Sequence, residues 1–243
     1  MSVSKTCAHA QRPRRATQLI DLDESLLLRV LSYLTPLPDL FSAGRVCKRF
    51  HELTGNGRLR LMVCPEEPLS SIQTLDPNCF ASLVDAVAAS RPGDTIVLQP
   101  GMHFCSNVSL RWPLQLVGGG STTKEAVLIC PGGKVDAAIE CWASCRIAKL
   151  SIRAQPLSCC IRHYNGNLLV DSCSLSNERH PLDHLCSPIL MGVSSTEKTG
   201  KLSVVKTLIE GGSKAISHMM KTCEPKNVRV VYSNRCLFWF DVA

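Results

Sequence analysis

Apolar residues recur at helical spacing between residues 24 and 34, which predicts an amphipathic helix. Asp21 or Asp23 can cap its start. Pro36 and Pro38 end it, because a proline ring cannot continue the hydrogen-bond ladder. The apolar positions on one stripe of this helix are Leu26, Leu27, Val30, Leu31 and Leu34.

A second helical pattern follows and ends at Gly55 and Gly57. Its apolar positions are Leu40, Ala43, Val46, Cys47, Phe50 and Leu53. Two or three helices in about 35 residues bury too little apolar surface to be stable alone. The pattern therefore predicts an N-terminal module that needs a partner, or else an ordinary helical hairpin packed on its own domain.

Three blocks of this module resemble the F-box family. Residues 22–27 (LDESLL), 34–40 (LTPLPDL) and 46–50 (VCKRF) are similar to the LPxELL, LPxxDL and VCxxF blocks of that family. The chain departs from the family pattern at Asp23, where a proline is usual, and at Arg60, where many members have tryptophan.

The resemblance implies that the leucine-rich helices bind a Skp-type adaptor, which connects them to a cullin and its ubiquitin-transferring partner. The residues expected to contact the adaptor are Leu22, Leu26, Leu27, Val30, Leu31, Leu34, Leu40, Val46, Cys47 and Phe50.

The pattern changes after the module. Residues 58–77 contain three prolines and no clear period, which predicts a linker. One short helix is predicted next, from the spacing of Phe80, Leu83, Val84, Val87 and Ala88. Short strands follow at Thr95–Leu98 and Leu114–Val117, each closed by glycine.

Three eight-residue windows repeat one rhythm of inward positions. They are Cys145–Ile152, Leu168–Leu175 and Leu202–Ile209, with apolar or small residues at the first, third, sixth and eighth places. This spacing predicts a strand, a one-residue corner and a second strand. The windows recur after 23 and then 34 residues, which indicates a solenoid with an insertion between Asn177 and Gly200.

Stacked coils of this kind form a parallel β-helix, and the short helix would cover its first coil. Residues 83–101 resemble the start of right-handed β-helices of the pectin-lyase-like type. The expected fold is mainly β: a disordered basic tail (1–20), an F-box (21–57), a linker (58–77) and a right-handed parallel β-helix (78–243). A β-sandwich with coincidental spacing is the alternative.

An F-box followed by this β-helix resembles the plant F-box proteins of the Skp-interacting partner five type, over most of the chain. The resemblance implies a substrate-recognition subunit of an SCF ubiquitin ligase, with no catalysis of its own. Its β-helix would hold a target protein, or the glycan of a glycosylated one.

Composition supports a folded chain, with 45% hydrophobic and 19% charged residues. The net charge is +7, but four positive charges lie in the first twenty residues, at Lys5, Arg12, Arg14 and Arg15, which leaves +3 elsewhere. Because the remaining basic residues alternate with acids, no nucleic-acid partner is expected. The basic start is also compatible with an organelle transit peptide.

The fourteen cysteines are not expected to form a secreted disulfide scaffold, because the first twenty residues lack the apolar stretch of a signal peptide. No run of 18 apolar residues predicts a membrane span. We therefore expect free thiols, a cytoplasmic or nuclear location and no membrane partner.

The alternative function is a carbohydrate-binding or polysaccharide-cleaving β-helix. Cleavage needs carboxylates at equivalent outward positions of successive coils. The outward fourth and fifth places of the windows hold instead Ala148, Asp171, Val205, Lys149, Ser172 and Lys206. We therefore expect no catalytic residues, and Asp171 is interpreted as a salt-bridge partner.

A zinc site is conceivable where His180, His184 and Cys186 crowd into the insertion, with Cys173 nearby in sequence. No cysteine pair has CxxC spacing, so no metal site is predicted. Gly118–Gly120 lack the lysine and hydroxyl residues of a phosphate loop and predict a turn between coils. No cofactor is expected.

Overall fold

The computed structural model of the chain describes residues 18–56, 59–65, 78–105, 107–131, 137–155, 158–177, 187–191, 201–211, 216–218, 223–226 and 229–231.

The N-terminal module is helical. Its elements are a 3-10 turn (Leu19–Asp21), α1 (Glu24–Ser32), an irregular helical turn (Pro36–Leu40), α2 (Phe41–Ala43) and α3 (Lys48–Thr54). The Asp23 carboxylate caps α1 by accepting a hydrogen bond from the Leu26 N–H at 2.8 Å. The second predicted helix is divided in two, and α3 begins where the Cys47 Sγ accepts from the Phe50 N–H at 3.5 Å.

Strands make up most of the described residues after the module, which also include one further helix, α4 (Leu83–Ala89). In chain order the strands are β1 (Leu61–Val63), β2 (Cys79–Phe80), β3 (Thr95–Leu98), β4 (Gly101–Phe104), β5 (Val108–Leu110), β6 (Leu114–Gly118), β7 (Ala126–Cys130), β8 (Ala137–Cys141), β9 (Cys145–Ala148), β10 (Ser151–Ala154), β11 (Cys159–His163), β12 (Asn167–Asp171), β13 (Ser174–Asn177), β14 (Ile189–Met191), β15 (Lys201–Val205), β16 (Leu208–Glu210), β17 (Ile216–His218), β18 (Cys223–Lys226) and β19 (Arg229–Val231).

From β3 onward, each strand pairs in parallel with the strand three places further along the chain. Three sheets result, with the orders β18-β15-β12-β9-β6-β3-β1-β2, β19-β16-β13-β10-β7-β4 and β17-β14-β11-β8-β5. One strand per sheet makes one coil. The predicted parallel β-helix is therefore confirmed, and the sandwich alternative is wrong because a sandwich needs antiparallel sheets.

The repeated windows lie in register as predicted. The aligned residues are Cys145, Leu168 and Leu202 in the first sheet and Ile152, Leu175 and Ile209 in the second. All six side chains are buried in one continuous core. Between them, the corner residues Lys149, Ser172 and Lys206 have φ values of 53°, 53° and 48°, so one left-handed residue turns the chain at each corner.

The predicted insertion between Asn177 and Gly200 contains a strand of the third sheet. There β14 pairs with β11 and β17, so the coil that contains β12 and β13 has its third side. Three residues are too short to give a two-residue period, which explains why the sequence pattern missed this strand.

The first coil is covered by α4, as predicted. Leu83, Ala86 and Val87 of this helix are buried against the core, where α4 contacts β1, β2, β3 and β5. The predicted stripe was partly wrong, because Val84 is exposed and Phe80 belongs to β2.

Part of the predicted linker is strand. Leu61 and Val63 of β1 are buried in the β-helix core, and β1 lies between β2 and β3 in the first sheet. Leu59, two residues earlier, packs against the apolar cluster of the helical module. The two cores are therefore separated in the chain by Arg60 alone.

The close approach of two coils explains one of the predicted turn glycines. A Cβ built on Gly118 would lie 1.9 Å from the Lys149 carbonyl oxygen, which is backbone and cannot swing away. Gly118 ends β6 and leads into the loop to β7 within the same coil, so the predicted turn between coils is a turn inside one.

We expect Gly118→Ala to lower the free energy of unfolding by about 1–3 kcal/mol or more, because the added methyl group overpacks a backbone contact. Urea denaturation measures the effect. Gly55→Ala is the matched control, since the nearest atom to its Cβ is 3.6 Å away. Equal transition midpoints for the two variants would show that Gly118 has no close contact with the Lys149 backbone.

A fragment that starts at residue 59 should be more stable than one that starts at residue 66. The shorter fragment lacks β1 and so loses the burial of Leu61 and Val63, which is expected to contribute about 3 kcal/mol or more. Circular dichroism during urea titration compares the two. Identical midpoints would show that β1 adds nothing to the β-helix.

Candidate adaptor-binding face and neighbouring cleft

The apolar positions of α1 divide between two sides of the helix. Leu27, Leu28 and Leu31 face inward and form a cluster with Leu53 of α3. This cluster is the internal core of the helical module. Leu27 and Leu31, which the sequence assigned to adaptor contact, are 0% and 3% exposed and are not accessible to a partner.

The opposite side of α1 is an exposed apolar stripe formed by Leu26, Val30 and Tyr33. These residues are 50%, 41% and 76% exposed, and their spacing of four and then three residues places them on one line along the helix. A stripe of three large apolar side chains in water is a feature of interaction surfaces. Tyr33 was missed in the sequence because the apolar stripe predicted there is centred between Leu26 and Leu31, and Tyr33 lies to one side of it.

The other residues predicted to contact the adaptor are mostly half-buried. Leu22, Leu34, Leu40 and Phe50 pack against the internal cluster, and Cys47 caps α3. Val46 is the exception, because its side chain is 73% exposed in the turn before α3. Of the ten predicted residues, the structure therefore leaves Leu26, Val30 and Val46 exposed to solvent.

Arg49 of α3 holds the start of the module in place. Its guanidinium donates to the Leu22 carbonyl oxygen at 2.7 Å and also to the Ile20 carbonyl oxygen. These two bonds fix the segment that leads into α1, although Asp23 replaces the proline usual at this turn in the resembled family. Arg49 therefore helps to orient α1 and its exposed stripe.

The outward face of the β-helix carries the predicted ion pair. Arg146 Nη2 lies 2.8 Å from the Asp171 carboxylate, and this hydrogen bond lowers the pKa of Asp171 below its ordinary value. The register partners of Asp171 are Ala148 and Val205. Among the described strand pairs no two carboxylates lie opposite each other, so the paired acids of a polysaccharide-cleaving site are missing there.

A cleft of about 600 Å³ lies between the helical module and the first sheet. The module side includes Arg45, His51 and Arg60, and the sheet side includes Gln115, Ser144, Arg146 and Asn167. Asp94 at its edge is 4% exposed, and burial raises the pKa of this carboxyl although the Arg91 N–H donates to it at 2.6 Å.

The loop that contains Arg91, Gly93 and Asp94 also connects the β-helix to the helical module. Arg91 Nη1 donates to the carbonyl oxygen of Ser32 at the end of α1, at 3.3 Å. Gly93 has a φ of 93° and lies against Leu37, so closely that a Cβ there would come within 2.6 Å of the leucine side chain. These contacts set one wall of the cleft.

The conceivable zinc ligands His180, His184 and Cys186 lie outside the described residues. Within the part that is described, no three His, Cys, Asp or Glu side chains are grouped as metal ligands would be. The longest described helix, α1, has nine residues, and none of the described helices is long and apolar enough to cross a bilayer.

Comparison with solved structures finds pectin methylesterases. Pectin methylesterase PemA from Erwinia chrysanthemi matches 72% of this chain and 67% of its own, with 11% identity and a TM-score of 0.47. A mutant pectin methylesterase in complex with a hexasaccharide matches 72% of this chain and 66% of its own, with 11% identity and a TM-score of 0.38. The β-helix assignment rests on the strand pairing described above.

Comparison of sequences identifies the helical module. Residues 23–64 match the model of the F-box-like family, a span that ends just after β1. F-box protein SKIP5 of Arabidopsis thaliana is 36% identical over 251 residues, which covers 95% of this chain and 89% of that protein. The predicted resemblance to plant F-box proteins is confirmed, and the chain belongs to the F-box protein family.

Proposed function

We propose that this protein is the substrate-recognition subunit of an SCF-type ubiquitin ligase. Its F-box binds a Skp-type adaptor and, through that adaptor, a cullin, while the β-helix holds a target protein for ubiquitination and degradation. Such a subunit needs no chemistry of its own, because holding a target beside a charged enzyme raises the effective concentration of the reacting groups.

The observation that carries this proposal is the exposed stripe of Leu26, Val30 and Tyr33 within an F-box. The internal cluster already uses Leu27, Leu28 and Leu31, so the stripe is not needed for the packing of the module. An apolar stripe on a small module is stabilised when a partner covers it. The adaptor is that partner.

The link between the two cores supports a recognition role for the β-helix. Because Arg60 alone separates Leu59 from Leu61, the F-box and the first sheet cannot move far apart. A bound target would then keep a defined position relative to the ligase core. Free thiols at the described cysteines agree with the reducing cytoplasm or nucleus as the place of action.

Leu26→Asp combined with Val30→Asp should weaken adaptor binding about a hundredfold or more. Each substitution removes the burial of an apolar side chain, worth about 1.5–3 kcal/mol, and each factor of ten in affinity corresponds to about 1.4 kcal/mol. Titration of the full chain with a purified Skp-type adaptor in a calorimeter gives the dissociation constant.

The matched control is Ser25→Asp with Ser32→Asp, which adds the same charge at two exposed positions on the flank of α1. This control should bind like the unchanged protein. By contrast, Leu27→Asp and Leu31→Asp would unfold the module itself and could not separate folding from binding. If the Leu26 and Val30 variant binds as tightly as the control, the stripe is not the adaptor interface.

We expect neither cleavage of the pectin chain nor hydrolysis of its methyl esters. Arg146 engages Asp171, and the neighbouring coils offer Ala148 and Val205 in place of a second carboxylate. Reducing-end and methanol assays on pectin and polygalacturonate test this directly. Turnover that is lost in Asp171→Asn but kept in Glu125→Gln would establish an enzyme instead of an adaptor.

A further inference from the structure

The cleft between the F-box and the first sheet brings together basic and amide side chains. We call it the basic cleft and define it by Arg45, Arg60, Gln115, Arg146 and Asn167. Its residues come from both units: Arg45 and Arg60 from the F-box side, the others from outward positions of successive coils. Such convergence of polar side chains is a feature of ligand sites.

The charge of the cleft is positive where it faces solvent. Arg146 is already bonded to Asp171, but Arg45 and Arg60 have no ion-pair partner among the residues that the structure describes. The carboxylate at the edge of the cleft, Asp94, is buried and held by Arg91. These two guanidinium groups are exposed, and that of Arg45 also lies 6.0 Å from the centre of the Phe41 ring. They favour an anionic ligand, because guanidinium pairs with carboxylate in a bidentate arrangement.

The sheet side of the cleft is neutral and polar. Gln115 and Asn167 are exposed, and their side-chain amides form no hydrogen bond to another residue in the described ranges. Gln115 lies opposite Arg146 in register, and Asn167 begins the next strand of the same sheet. A side-chain amide carries both a donor and an acceptor, so it can pair with the peptide groups of an extended chain.

We propose that the basic cleft binds an acidic, extended segment of a polypeptide, whose carboxylates pair with Arg45 and Arg60 and whose main chain pairs with Gln115 and Asn167. A volume of about 600 Å³ is within the range of binding sites that enclose a few residues. Naming this segment as part of the ubiquitination target rests on the proposed function, whereas the binding chemistry does not.

The test uses the full chain and a fluorescein-labelled decapeptide of alternating glutamate and glycine. Fluorescence anisotropy should show saturable binding that weakens as salt is raised. Arg45→Ala with Arg60→Ala should weaken it about tenfold or more, because two charge-assisted hydrogen-bonding groups are lost. Gln115→Glu with Asn167→Asp, which changes shape very little, should weaken it similarly by repulsion.

Arg111→Ala with Arg153→Ala is the matched control, since it removes two exposed arginines outside the cleft and should leave the dissociation constant unchanged. The inference is overturned if this control loses as much affinity as the cleft variants. It is also overturned if a lysine and glycine decapeptide binds equally well. A third contradicting result is displacement of the acidic peptide by inorganic phosphate when the two are present at the same concentration.

Adaptor titration of the same variants separates this inference from the proposed function. If the unchanged chain binds the acidic peptide but not the adaptor, the proposed peptide site is supported and the proposed ligase role is wrong. If it binds the adaptor but not the peptide, the cleft is wrong and the ligase role stands.

Discussion

The in-register stacking of inward side chains is the constraint on which the rest of this structure depends. Each coil presents apolar residues to the same inner positions as the coil before it, as Ile147 does to Val170 and Val170 to Val204. A slip of one residue would turn every such side chain outward. The register therefore determines which residues remain on the surface, and with them the place where a partner can bind.

The stacking also determines how the two units meet. Because β1 adds to the first sheet next to β3, the chain enters the β-helix as one more strand of its ladder, directly after Leu59 of the F-box. The loop that carries Arg91 and Gly93 then packs on the end of α1 and on Leu37. A short connection and two contacts together hold the exposed stripe of α1 and the outer surface of the β-helix in a fixed relation.

The sequence predicted the repeated part of the fold well, for a physical reason. Inward positions must be apolar and corners must accept a left-handed residue, so Lys149, Ser172 and Lys206 fall at the same place in each window. The short strands β1 and β14 carry too few residues to show a period. They become strands because a neighbouring strand presents unpaired backbone N–H and C=O groups with which they can form hydrogen bonds. This is an effect of the tertiary structure and not of the local sequence.

The candidate site was harder to predict than the fold. The F-box blocks identified the module, but a helical stripe read from sequence did not separate Leu27, which packs inside, from Leu26, which faces solvent. That division depends on where α3 packs against α1. The basic cleft could not be predicted from the sequence either, because Arg60 and Asn167 are more than a hundred residues apart and come together only in the folded chain.

The most direct measurement is hydrogen–deuterium exchange of the full chain with and without a purified Skp-type adaptor. If the F-box binds the adaptor and leaves the β-helix free for a target, amides of residues 19–34 become protected while those of β6, β9 and β12 are unchanged. Protection centred on β6, β9 and β12, or none in α1, would contradict the account.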